Sequence, residues 1–300
     1  MLVLAALAPV ALLPPGRTWR ATGVLLARIF ETLAPARRRA TVRRIRSMTR
    51  DHLPDLDVPR TDTLVRMGFV ETELTYLREC FFPGTSTRGL ELIGSEHVER
   101  AIERGNGCIL WVAPFMFAPL CVKAALRQAG FSVVHLSLDL HGPSRSRIGN
   151  RVINRIRVRS ENRYLAERVS MAPGTELETL RTLERRLREN RVLSITWAHH
   201  AQRPIPVAVL GGTMLVGPGA PGLALATGAA LLPVFGLRHG DAFRVTVEPA
   251  LELPPTRSLR RSTEELARRY ASTLESHVAR WPAQFSAWGF VSPEQAERLR

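Results

Sequence analysis

The run Cys108-Ile109-Leu110-Trp111-Val112-Ala113 is apolar at every position, the pattern of a strand covered on both faces. Comparable runs predict strands at 132–138, 192–197, 205–210 and 231–235, with a further strand over 243–248. Between them the apolar period changes to three and four. Leu64, Met67, Val70, Leu74 and Leu77 predict a helix over 63–82; Leu177, Leu180, Leu183 and Leu187 predict another over 176–190. Further helices are expected at 95–104, 120–128, 219–227 and up to Arg280. Ser95, Thr175 and Ser262 are the expected caps, with Gly105-Asn106-Gly107 and Gly130 as stops. The turn His239-Gly240-Asp241 predicts an antiparallel pair between 231–235 and 243–248. Strands alternating with helices argue for an α/β domain, a layered and mostly parallel sheet flanked by helices. No internal repeat is visible.

The first sixty residues read differently. Met1 to Pro14 is apolar but only about half the length of a membrane-spanning helix. It lacks a positive leading segment, so it is a poor secretory signal. Arg17, Trp19 and Arg20 follow, then Val24 to Phe30, then Arg37, Arg38, Arg39, Arg43, Arg44, Arg46 and Arg50. An apolar segment followed by arginines suits association with an anionic membrane surface. The expected organisation is an N-terminal helical extension over 1–60 and one α/β domain over 61–300.

Charge sharpens this. The formal net charge is +15, and of 42 basic residues Lys123 alone is lysine. Arginine forks match phosphate and carboxylate, so an anionic partner is expected. The cluster Arg145, Arg147, Arg151, Arg155, Arg157, Arg159 and Arg163 has only Tyr164 among it as an aromatic. Base stacking has little support, and no nucleic acid partner is expected. The three cysteines, Cys80, Cys108 and Cys121, lack metal spacing. Neither a metal nor a cofactor is expected.

The order of segments resembles the late acyltransferases of lipid A biosynthesis, within the lysophospholipid acyltransferase superfamily. The resemblance rests on the apolar start, the arginine run before Leu53-Pro54-Asp55-Leu56, and Gly94-Ser95-Glu96-His97 ahead of the 108–113 strand. It continues through Leu210-Gly211-Gly212-Thr213, Leu223 to Val234, Arg238, and Trp281-Pro282-Ala283-Gln284-Phe285 with Trp288. It implies acyl transfer from a thioester on acyl carrier protein or coenzyme A to a membrane lipid. It also implies a place on the cytoplasmic face of the inner membrane, peripheral or N-terminally anchored.

The resemblance further implies a His-x4-Asp/Glu motif just after the 108–113 strand. A hydroxyl needs a general base while it attacks a thioester, and a carboxylate orients the imidazole. The matching slots here hold Pro114 and Pro119. Neither moves a proton. His52 and Asp57 have the same spacing but lie in the N-terminal arm, where a surface turn is the better reading.

Other chemistry clusters after the predicted strands. His135, Ser137, Asp139 and His141 alternate, so an extended chain puts them on one face. His199 and His200 follow the 192–197 strand, and His239 follows 231–235. The histidines 199, 200 and 141 are the candidates for a relocated base; a polar rim is the plainer reading. Gly217-Pro218-Gly219-Ala220-Pro221-Gly222 matches Gly-x-Gly-x-x-Gly, but its prolines remove donors a pyrophosphate needs. The glycines at 217 and 219 remain candidates for a helix N-terminus that meets one phosphate or a carbonyl oxygen. Arg238 sits at a strand end suited to a phosphate. Phe115 and Phe117 either line an acyl-chain tunnel or plug it. Two readings follow: a homologue that binds lipid or a protein partner without the standard reaction, or an active acyltransferase with a relocated base.

Overall fold

The computed structural model describes residues 2–87, 89–138, 147–197, 203–240, 242–255 and 258–293, without the side chains of 2–6 and 147–153. Its centre is a seven-stranded sheet of β1 (Leu90–Ile93), β2 (Cys108–Val112), β3 (Val133–Leu138), β4 (Glu167–Met171), β5 (Val192–Thr196), β8 (Ala230–His239) and β9 (Ala242–Val247). The order is β1-β9-β8-β2-β5-β3-β4. All neighbours are parallel except β8 and β9, which pair antiparallel beyond a turn at Gly240 as expected. Strand β2 lies between β5 and β8 and is buried at all five residues, which explains its unbroken apolar run.

The apolar run at 205–210 forms a strand, but not in this sheet. Strand β6 (Ile205–Val209) joins β7 (Gly212–Val216) and β10 (Val291–Ser292) in a separate antiparallel sheet of three. Leu210 at φ 51° and Gly211 make the tight turn between β6 and β7. The Gly211 N–H donates to the Met48 carbonyl at 2.6 Å, fastening the small sheet to the N-terminal helices.

The helices are α1 (Leu2–Leu12), α2 (Arg17–Leu33), α3 (Pro35–Thr49), α4 (Val58–Phe81), α5 (Ser95–Glu103), α6 (Ala118–Gln128), α7 (Arg147–Asn162), α8 (Glu176–Arg188), α9 (Gly219–Thr227) and α10 (Leu259–Arg280). Two expected caps move. Gly94, left-handed at φ 82°, precedes α5, with Ser95 as its first residue. Ser258 occupies the N-cap of α10, and Ser262 is buried one turn later. Thr175 does precede α8, but its hydroxyl bonds back to Ala172 rather than forward into the helix.

Helix α6 covers one face of the sheet and α10 the other. Gly236 in β8 admits α6, since a Cβ there would stand 2.7 Å from the Ala118 Cα. On the opposite face Trp111 of β2 stacks on Tyr270 of α10, centroids 3.9 Å apart. Helix α4 is buried on two sides. Its apolar stripe ends in Leu74 and Leu77, which pack with Leu7, Ala11 and Trp19 of the N-terminal helices. Its other side carries Thr61, Val65, Gly68, Thr72, Tyr76 and Glu79, also buried. Ile45 and Met48 of α3 belong to the main core. Among the described residues, no helix is long and apolar enough to cross a membrane.

Candidate functional site

In a parallel α/β sheet, chemistry gathers where strands end and helices begin. Here that place is the turn from β2 into α6, residues 113–117, and its backbone polar groups are occupied. The Ala113 N–H donates to Val234 at 2.8 Å, and the Trp197 N–H donates to the Val112 carbonyl at 2.9 Å. The Pro114 carbonyl accepts both the Ser286 N–H at 2.9 Å and the Ser286 hydroxyl at 2.7 Å. The Met116 N–H donates to Gln284 at 3.1 Å, and the Pro119 carbonyl accepts from Lys123 Nζ at 2.6 Å.

The turn's side chains are equally committed. Phe115 is 1 % exposed and meets Phe235 and Phe285 edge-on, at centroid distances of 6.0 and 5.8 Å. Phe117, 5 % exposed, packs against Phe243 at 5.2 Å. Met116 fills the space left by Gly68 of α4, where any Cβ would collide with its sulfur. Pro114 is buried and Pro119 half-buried. Proline suits the first turn of α6 at 119, where its missing N–H has no partner to lose.

Arg238, at the end of β8, borders this turn with its guanidinium 5.9 Å from the Phe117 centroid. It forms an ion pair with Glu71 of α4, and its Nε donates to the Gly240 carbonyl at 3.0 Å. Gln284 grips its backbone in both directions, accepting from the Arg238 N–H at 2.8 Å and donating to its carbonyl at 2.9 Å. The Arg238 charge is thus already matched by a carboxylate.

One turn further along α6 lies a network that sequence reasoning did not assemble. Lys123, 2 % exposed, meets Glu161 at 3.2 Å. Glu161 also accepts from Arg168 at 2.8 Å and from the Tyr76 hydroxyl at 2.7 Å. Arg168 continues to the Ser137 hydroxyl at 3.0 Å. Burial alone would raise the Glu161 carboxyl, but Lys123, His135 and Arg168 together hold it well below the usual carboxylate range. Burial lowers the Lys123 ammonium, against the pull of Glu161. The carboxylate is satisfied on both oxygens, which is the requirement for a buried ion pair to persist.

A model of the bacterial lipid A biosynthesis acyltransferase family matches residues 65–288. The chain belongs to that family. No curated protein matches it by sequence. The family segment begins within α4 and ends at Trp288, so α1, α2 and α3 precede it.

His141, His199 and His200 lie outside the described residues, as does Asp139. His135 is not at a strand end: it is buried inside β3, with Nδ1 3.1 Å from the Ser194 carbonyl oxygen. His239 does close β8, edge-on to Trp281 at 4.6 Å, and burial, Arg244 and Arg280 lower its pKa. His52 is exposed, and Asp57 caps α4 by accepting the Arg60 N–H at 3.0 Å. Gly217 follows β7 of the small sheet and Gly219 is the first residue of α9, so neither follows a strand of the main sheet. A Cβ at Gly219 or Gly222 would meet nothing within 4 Å.

The closest histidine–carboxylate contact among the described residues was not legible in the sequence. His277 Nε2 of α10 lies 2.9 Å from Glu248, and its ring stacks on Phe235 at 3.7 Å. The pair borders a cleft of about 380 Å³ that also holds His239, Arg244, Ser276 and Arg280. No set of three or more metal-binding side chains converges among the described residues. The cysteines are free, and burial pushes the Cys108 thiol up to about 12.

Proposed function

We propose that this chain is a lipid-binding homologue of the lipid A acyltransferases that does not run the His/acid reaction at the β2–α6 turn. The turn itself carries the reading. Pro114 and Pro119 occupy the expected base and acid slots, their carbonyls are taken by Ser286 and Lys123, and Phe115 and Phe117 are spent on core packing. A general base must reach the attacking hydroxyl by hydrogen bond, and the turn presents no side chain able to do so.

The proposed setting is a membrane surface, engaged from the cytoplasmic side by the N-terminal helices. Leu25, Ile29 and Leu33 are exposed at four-residue steps on α2. Arg39, Arg43 and Arg46 share a face of α3, are exposed, and make no ion pair with described residues. An apolar row followed by unpaired arginines suits peripheral attachment to anionic lipid. A protein partner would dock on the same lipid-bound form.

The test is mass spectrometry of total lipids from cells with and without the protein, paired with flotation on vesicles. The reading expects vesicle binding and no new acylated species. A new acylated lipid that disappears in a His199→Ala/His200→Ala variant would support a relocated base instead. The His277–Glu248 pair gives that second reading a specific geometry, a carboxylate-oriented imidazole beside a cleft. His277→Gln would then abolish the new species.

A further inference from the structure

We infer that the cleft between α2, α3, α4 and the 288–290 turn holds one anionic phospholipid drawn from a membrane, its phosphate on Arg44 and its acyl portion along the aromatic wall. This rests on the lipid-binding reading above and names the site and the ligand class.

The cleft measures about 810 Å³, and its lining includes Phe30, Arg37, Arg44, Arg66, Phe69 and Trp288. That size accepts a headgroup and part of a chain rather than a whole two-chain lipid. Arg66 belongs to the wall. It is bound to Asp62 by bonds of 3.0 and 2.9 Å, and its guanidinium carbon lies over the Phe30 ring, 3.9 Å from the centroid. Arg37 and Arg44 are different. Neither forms an ion pair with a described residue. Arg44 has only a long 3.4 Å bond from Nη1 to the Gly289 carbonyl, and its Nε is buried with no partner. A buried donor without an acceptor is costly, and a phosphate oxygen is the acceptor that a guanidinium fork fits.

Arg37, Ala40, Thr41 and Arg44 form one face of α3, so Arg37 adds positive charge two turns away on the same wall. The rim is apolar. Phe69 and Phe290 line the cleft yet remain 45 % and 46 % exposed. A positive pocket with a greasy mouth fits an amphiphile better than a soluble phosphate. Arg37 and Arg44 precede the family segment at 65–288, so the N-terminal helices bring this charge to the cleft.

Isothermal titration of the full chain with monomeric dihexanoylphosphatidylglycerol tests the site, with dihexanoylphosphatidylcholine and glycerol phosphate as comparisons. Phosphatidylglycerol should bind, and both comparisons should bind about tenfold more weakly. R37Q/R44Q should raise the phosphatidylglycerol Kd by about tenfold or more. R39Q/R43Q, on the opposite face of α3, should leave that Kd unchanged while weakening vesicle flotation. Circular dichroism confirms that each variant is folded. Equal binding of both lipids, or an unchanged Kd in R37Q/R44Q, would overturn the cleft site. Equal affinity for glycerol phosphate would overturn the lipid ligand. Flotation that survives either result would leave the broader lipid-binding reading standing, whereas acyl transfer by a chain that binds at the cleft would overturn only the claim that the protein does not catalyse.

Discussion

Pro114 and Lys123 stand at the two ends of one short segment, and the protein buries them in opposite ways. Around Pro114 the polar demands come from the backbone and are met by Ser286, Gln284, Val234 and Trp197, while the turn's own side chains are apolar. Around Lys123 the side chains are charged and meet other charges, Glu161 and Arg168, with the Tyr76 hydroxyl closing the set. The second region shows that this part of the fold tolerates buried charge when each group has a partner. The apolar character of the first is therefore local. It falls where the family chemistry is expected, and it leaves a scaffold intact beside it.

The largest effect that can break this comparison is at Glu161. Glu161→Ala strands Lys123 and Arg168 in the interior and should cost about 3–5 kcal/mol in urea unfolding. A K123M/E161L double variant should recover part of that loss, because the Lys123 charge leaves with its partner while Arg168 keeps its bonds to Asn162 and Ser137. The same carboxylate sets an acid limb. Its folded pKa lies below the unfolded value, so its stabilisation is present above about pH 4.3 and is lost as pH falls toward the folded pKa. Glu161→Gln should flatten the drop in the unfolding midpoint measured below that pH.

Phe115→Ala should cost about 3 kcal/mol or more, since it removes a ring packed between Phe235 and Phe285. If the ring instead lines an open tunnel, the loss of stability will be much smaller and a bound chain will be gained. Arg238→Ala comes next, at about 1.5–3 kcal/mol, through loss of the charged contacts to Glu71 and Gly240. A lipid-binding defect with unchanged stability would show that Arg238 serves a ligand rather than α4. The smallest effect is Asp57→Ala, about 1 kcal/mol from the lost α4 cap, with vesicle binding intact.

The parallel core was legible because strands covered on both faces must be apolar at every position, as in β2. The edge strands were not. Leu90-Glu91-Leu92-Ile93 is short and interrupted by Glu91, and Glu167-Arg168-Val169-Ser170-Met171 is mostly polar, because each has a single neighbour in the sheet. Helix α7 was hidden by its arginines; Arg157 is spent on Glu73, and Arg163, just past the helix end, on the Glu79 carbonyl rather than on a ligand. In α4 the stripe through Leu74 and Leu77 was visible and does face the N-terminal helices. The side toward the core, Thr61, Val65, Gly68, Thr72, Tyr76 and Glu79, carries only a broken apolar signal, since small and polar residues separate Val65 from Tyr76.

The site followed the same rule. Pro114 and Pro119 could be read in the sequence as the slots that the family resemblance implies, because they sit at a fixed step from a recognisable strand. The pairings Tyr76–Glu161 and His277–Glu248 join residues 85 and 29 positions apart, and only the fold brings them together.

The central claim is that the protein binds lipid while its β2–α6 turn does not catalyse. Its most direct test is transfer of a labelled acyl chain, using the purified full-length protein, acyl carrier protein or coenzyme A thioesters, and a lipid A precursor in anionic vesicles. The account predicts that the protein floats with the vesicles while the label stays on the thioester, apart from background hydrolysis. Label appearing on any lipid in proportion to the protein added would contradict it.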